Sequence, residues 1–137
     1  MPGKKLKRTR LSREATLLIA EIRTLGSTAV LVERRPAPGL WGGLWSPPQF
    51  KNEREALAWY RREFVDAAPD PQVLAPIDHA FTHFDLRLNP LLVRCELNSS
   101  VQDSADRLWY PLETPLRIGL PQPINRLFER LRTRSSA

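Results

Sequence analysis

The stretch RPAPGLWGGLWSPPQF, Arg35 to Phe50, holds four of the chain's 13 prolines and three of its six glycines. Proline fixes φ and lacks an N–H, so this density excludes a regular helix or a central strand. The segment reads as a structured loop carrying two large aromatics, Trp41 and Trp45. The glycines between them suggest tight packing, so both tryptophans are assigned to the core rather than to base stacking.

On the N-terminal side, Thr16 to Arg23 (TLLIAEIR) is apolar and β-branched enough for a strand, and Ala29 to Arg34 (AVLVER) reads as its return. Leu25-Gly26-Ser27-Thr28 supplies the turn of a hairpin. On the C-terminal side a helix begins. Asn52 is a good N-cap, and Glu55 three residues on completes a capping box. Leu57, Tyr60, Phe64 and Ala68 fall near one helical face, and Pro69-Asp70-Pro71 ends the run.

A second sheet segment is expected from about Val73 to Leu97. Phe84, Leu86 and Leu88 alternate with Asp85 and Arg87, and the alternation resumes as Leu91, Val93, Cys95 and Leu97. The phase has moved from even to odd positions, which predicts a bulge at Asn89-Pro90. Residues 98–107 read as a polar loop, and Leu108-Trp109-Tyr110 as a short strand. In the last helix Pro123 sits near the first turn, and Ile124, Leu127, Phe128 and Leu131 make the apolar stripe. Strands, helix, strands and helix in one chain predict an α+β or α/β sandwich.

A chain of 137 residues with 42% hydrophobic content fits one domain with its own core. No apolar run approaches the ~18 residues of a membrane span. The opening MPGKKLKRTR lacks the apolar stretch of a secretory signal. A cytoplasmic protein is therefore expected. Residues 1–13 are basic and nearly devoid of apolar side chains, so they read as a tail or linker ahead of a domain at 14–137. Pro2-Gly3 directly after Met1 suggests a chain cut from something longer. The single cysteine, Cys95, cannot by itself build a disulfide, a zinc site or an iron–sulfur site, and reads as a small buried hydrophobe. A formal net charge of +6 suits a polyanion, nucleic acid first, but is equally that of an ordinary basic domain.

Several segments together carry a family resemblance: Glu33-Arg34-Arg35-Pro36 leading into Gly39-Leu40-Trp41-Gly42-Gly43-Leu44-Trp45, then Pro48-Gln49-Phe50, Phe81-Thr82-His83-Phe84, Trp109-Tyr110 and Ile118-Gly119-Leu120-Pro121. In order and spacing the chain resembles the C-terminal domain of MutY-type adenine DNA glycosylases over nearly its whole length. The resemblance implies a Nudix-like α/β/α sandwich with a mixed sheet. It also implies a module that reads 8-oxoguanine opposite adenine in double-stranded DNA during base excision repair. Excision of the adenine would belong to a separate N-terminal helical domain with an iron–sulfur cluster, at work in the bacterial nucleoid. This chain has no such helical domain and too few cysteines for the cluster. A monomer with no catalytic residue, metal or cofactor of its own is expected, with the parent's catalytic domain as its partner.

Nudix hydrolases carry a box of the form G-x5-E-x7-R-E-U-x-E-E-x-G-U, whose carboxylates hold Mg2+. Here Arg54-Glu55-Ala56 aligns with its R-E-U step. The two following glutamate positions are Ala58 and Trp59, the upstream one is Ser46, the final glycine is Arg61, and Gly39 is one residue out of place. Glu55 alone survives from the carboxylate set, which argues against pyrophosphohydrolase activity. The glycines fit no phosphate-cradle spacing, and no serine elbow is present.

Guanine offers N7 as an acceptor in the major groove. Oxidation at C8 makes N7 a donor and adds a carbonyl. A reader of the lesion therefore needs an acceptor there, such as a backbone carbonyl or a hydroxyl. By resemblance, Phe81-Thr82-His83 is the recognition loop. Thr82, where the family has serine, would bond the lesion. His83 would sense the exocyclic amine, and Phe81 would either pack behind the loop or wedge against bases. Phe84 is assigned to the core and His79 to structure. Lys4, Lys5, Lys7 and Arg8 are candidate phosphate contacts or a solvated linker. Two other functions compete: a Nudix-type hydrolase of oxidised nucleotides, and a basic module that binds DNA by charge alone.

Overall fold

The run Leu17-Leu18-Ile19-Ala20 has no polar alternation, and a strand of that kind needs cover on both faces. In the computed structural model, which describes residues 11–64, 70–95 and 104–136, the run is the centre of β1 (Leu11–Thr24). All four side chains are fully buried. The chain reverses at Leu25-Gly26 into β2 (Ser27–Arg34), with Thr24 opposite Ser27. Gly26, at φ 74°, supplies the left-handed conformation that a two-residue hairpin turn favours. The hairpin is the expected one, although β1 reaches back to Leu11 instead of starting at Thr16.

Two short strands, β3 (Trp45–Ser46) and β4 (Gln49–Phe50), lie within the glycine- and proline-rich loop. After the first helix come β5 (Gln72–Val73), β6 (Ile77–Ala80), β7 (Phe84–Cys95) and β8 (Arg107–Pro111). The sheet runs β3-β2-β1-β7-β5, with β4 also on β1, β6 also on β7 and β8 also on β2. Among the described strands β1 and β7 pair in parallel and the other pairs are antiparallel, so the sheet is mixed.

The expected bulge at Asn89-Pro90 is absent. β7 stays in one register with β1 from Leu11 opposite Phe84 to Ile22 opposite Cys95, without a skipped residue. What changes along β7 is its cover. Leu86, Leu88 and Leu92 all face one core, while Leu91 and Val93 face the other. The even positions never leave their face; the odd ones become buried as the strand runs under a helix. Pro90 lies between the stretches of β7 paired with β6 and with β5, and its carbonyl accepts from Leu74 N–H at 3.0 Å.

Helix α1 (Glu53–Glu63) starts as its sequence predicts: the Asn52 side chain accepts from Glu55 N–H at 2.9 Å and its amide donates to the Glu55 carboxylate at 3.3 Å. Ala56, Tyr60 and Phe64 seal one face of the sheet over Leu18, Ala20, Leu31, Leu91 and Val93. Ala68 and Pro69 fall outside the described residues. Helix α2 (Gln122–Ser136) seals the other face. Its stripe Ile124, Leu127, Phe128 and Leu131 is at most 1% exposed and packs on Leu17, Ile19, Val30, Leu86 and Leu88. At about 1.5–3 kcal/mol per fully buried large apolar side chain, these four are a major part of the fold's stability. The layers are helix, mixed sheet, helix, the expected α/β/α sandwich. Cys95 is half-buried at the end of β7, with its Sγ 3.6 Å from the Tyr60 hydroxyl.

Candidate nucleic-acid interface

β6 and β7 pair from Ile77 opposite Leu88 to Ala80 opposite Asp85. This leaves Phe81 to Phe84 to close the hairpin, and Phe81 N–H donates to Phe84 O at 2.8 Å. Thr82 and His83 form the tip, and both are exposed. Two-residue hairpin turns usually draw on positive φ. Among the described residues, however, the one non-glycine with positive φ is Trp41, so Thr82 and His83 close this turn without it. The closure is reinforced from below: the Phe81 and Phe84 rings stack at 4.6 Å between centroids and 22° between planes.

That stack has a deeper footing. His79 meets Phe81 edge-on at 4.7 Å, Trp41 lies 5.6 Å from Phe81 and 6.1 Å from His79, and the Arg13 guanidinium sits 4.5 Å over Phe84. Phe81, Phe84 and Trp41 are half-buried against the core under α2. Phe81 therefore packs behind the loop. Trp45 is a core residue, as expected, whereas Trp41 spans core and turn. Trp41 adopts φ 55°, a conformation that costs a non-glycine residue about 1–3 kcal/mol and persists only where neighbours enforce it. They do so here: a Cβ on Gly42 would come within 2.9 Å of Ala37 Cα. Gly43 N–H donates to Arg35 O at 2.9 Å, and Trp45 N–H donates to Gly119 O at 2.8 Å. Three segments that carry the sequence resemblance thus meet: the Gly-Leu-Trp loop ties to Ile118-Gly119 on one side and props the Phe81-Thr82-His83 turn on the other.

Sequence reasoning missed this aromatic footing, although its assignment of His79 to structure fits the packing of that ring on Phe81 and Trp41. The available signal was the spacing of His79 and Phe81, two apart on a strand and so on one face. Beside the turn, on the opposite face of the sheet, lies an open depression of about 590 Å³ lined by Ser12, Glu14, Asp78, Asp85 and Arg87 among others. Arg87 grips Asp78 there with two bonds, 2.8 and 3.1 Å, and holds its carboxyl below the usual range. Lys4, Lys5, Lys7 and Arg8 fall outside the described residues.

The positions aligned with a hydrolase box do other work. Ser46 is buried and its hydroxyl donates to Pro47 O at 2.9 Å. Glu55 is part of the helix cap, and Ala58 is exposed. Trp59 packs against Phe50 and Phe64 under the Arg107 guanidinium. Glu33 and Glu63 flank that guanidinium at 3.9 and 3.6 Å. Burial pushes the Glu33 carboxyl above the usual range, an effect that Arg107 and Arg35 only partly offset. Among the described residues, no group of three His, Cys, Asp or Glu side chains is arranged to hold a metal ion.

The NUDIX domain family matches residues 20–130. This chain is a NUDIX domain. Within that family, it is 32% identical over 91 residues to an adenine DNA glycosylase of Buchnera aphidicola from Acyrthosiphon pisum; the match covers 66% of this chain and 26% of the glycosylase. The NUDIX domain thus spans about a quarter of that curated relative's length. In fold it is similar to the C-terminal domain of mouse MUTYH, crystallised in complex with human PCNA, with a TM-score of 0.70, 16% identity and 90% of each chain covered. It is also similar to the NUDIX domain of Shewanella oneidensis NrtR, crystallised with ADP ribose, with a TM-score of 0.67, 15% identity and 98% of each chain covered. These relatives bear out the resemblance to the C-terminal domain of MutY-type glycosylases. Among the described residues no helix is long and apolar enough to cross a membrane.

Proposed function

We propose that this NUDIX domain is the lesion-recognition part of a MutY-type adenine DNA glycosylase. It reads 8-oxoguanine opposite adenine and has no chemistry of its own. The observation that carries this reading is the β6–β7 turn, which presents Thr82 and His83 to solvent on a stacked aromatic base. A reader must hold its acceptor still, because misplacing it lets water substitute for the base edge. Thr82 offers a hydroxyl and a carbonyl to the N7 donor that oxidation creates, once that edge is released from the adenine. His83, through the unprotonated nitrogen of its neutral ring, accepts from the exocyclic amine that a syn lesion turns into the major groove. In the parent protein a separate helical domain, with its iron–sulfur cluster, would excise the adenine in the bacterial cytoplasm, and this module would act as a monomer beside it.

The test is a Thr82→Ala/His83→Ala double variant, titrated with matched duplexes bearing 8-oxoguanine:adenine or guanine:adenine. Loss of a bidentate base contact removes about 1–3 kcal/mol of discrimination, so the preference for the lesion should fall about five- to 150-fold while the guanine duplex binds as before. An unchanged preference sinks the reading. The competing hydrolase reading requires turnover of an oxidised nucleoside triphosphate with Mg2+ that Glu55→Gln abolishes, and we expect no turnover.

A further inference from the structure

Helix α2 carries arginines at 126, 130 and 134, four apart and so on one ridge beside the apolar stripe. Each is seated on the outer rim of the sheet, where β5 and β6 follow one another along β7. Arg126 donates to Asp78 O at 3.5 Å, Arg130 to Ala75 O at 2.8 Å and Arg134 to the Gln72 side-chain oxygen at 2.6 Å. All three acceptors are neutral. Among the described residues none of the three arginines has a carboxylate partner, whereas the neighbouring Arg132 meets Glu129 at 2.6 Å.

A carbonyl fixes a guanidinium without cancelling its charge, and with five N–H donors each arginine keeps several to offer. Charge over a sheet rim also discourages pairing with another chain. That role does not explain why three cations stay clear of carboxylates in a chain with 15 acidic residues. We propose that this ridge is a track for the sugar–phosphate backbone of the duplex whose lesion the β6–β7 turn reads; it rests on that reading and adds a second contact surface to it. The dimensions fit. Eight residues of helix span about 12 Å, which matches three to four nucleotides of one strand at about 3.4 Å each. Asp78, under the first arginine, is four strand residues from Thr82, or about 13 Å, so the ridge begins roughly four base pairs from the tip.

The experiment compares the chain with an Arg126→Gln/Arg130→Gln/Arg134→Gln variant on 8-oxoguanine:adenine and guanine:adenine duplexes over a salt series. Each phosphate contact contributes about 0.9 to the slope of log affinity against log salt. The slope should therefore become shallower by up to about 2.7, with both duplexes weakened equally and the lesion preference retained. The corresponding triple lysine variant should keep the slope, since it keeps the charges. Should the triple glutamine variant fold poorly, Arg130→Gln alone should remove about 0.9. An unchanged slope and affinity, in a chain that still prefers the lesion, overturns the ridge and leaves the turn's role intact. A wild-type chain without lesion preference, whose slope still depends on the ridge, sinks the turn's role and leaves a sequence-blind track. A ridge that holds poly-glutamate as tightly as duplex would mark an acidic protein partner and overturn the proposal.

Discussion

Helix α1, which carries positions aligned with a hydrolase box, and the β6–β7 turn are built in opposite ways. At the positions aligned with a hydrolase's metal-binding box, Glu55 caps α1, Ala58 carries no carboxylate, Trp59 packs under Arg107, and Ser46, on β3, is buried. At the turn, structure is kept below and chemistry above. Phe81, Phe84, His79 and Trp41 make the base, and two polar side chains make the tip. On the proposed reading, the difference teaches that one scaffold can give up a catalytic surface and keep a recognition surface, because the two occupy separate elements packed on opposite faces of the sheet.

That separation can be broken most severely from the core. Leu127 is fully buried in the core between α2 and the sheet, so Leu127→Ala should cost about 2–5 kcal/mol and lower the unfolding midpoint in urea. A loss under 1 kcal/mol would mean that α2 does not anchor the sheet. Trp41→Ala is more selective. It removes two aromatic contacts, about 0.5–1.5 kcal/mol each, and the prop under the turn. We expect a stability loss of about 1–3 kcal/mol and a weakened lesion preference. Intact discrimination in this variant would show that the turn stands without the Gly-Leu-Trp loop.

The smallest effect is expected on the α1 side. Burial disfavours the charged form of Glu33 in the fold more than in the unfolded chain. Its contribution to stability is therefore full below the ordinary carboxylate value and is lost as pH rises through its elevated folded value. Glu33→Gln removes that loss, so the variant should melt higher than the parent at pH 7, with the gap closing at about pH 3. Equal melting temperatures at both pH values would mean that Arg107 compensates the burial completely. Lesion preference should not change in this variant, which sharpens the contrast with Trp41→Ala.

Much of this was legible in the chain. Asn52 and Glu55 announced a helix start, Leu25-Gly26 announced a turn, and the stripe from Ile124 to Leu131 announced a covering helix, because caps, turns and stripes are local. Asn89-Pro90 misled because periodicity reports which faces are buried, not why. A strand that passes from one-sided to two-sided cover changes its pattern as a bulge would. The footing of Trp41 on Phe81 and the seating of Arg130 on Ala75 join residues far apart in sequence, and no local pattern encodes such contacts. The tip residues Thr82 and His83 were reached by resemblance, and the fold shows them exposed and side by side.

The most direct measurement is a low-salt titration of the unmodified chain with two duplexes that differ only in 8-oxoguanine or guanine opposite one adenine. We expect the lesion duplex to bind more tightly, by the factor of about five to 150 that one good base contact supplies. Equal binding to both would contradict the claim that this domain reads the lesion through its β6–β7 turn.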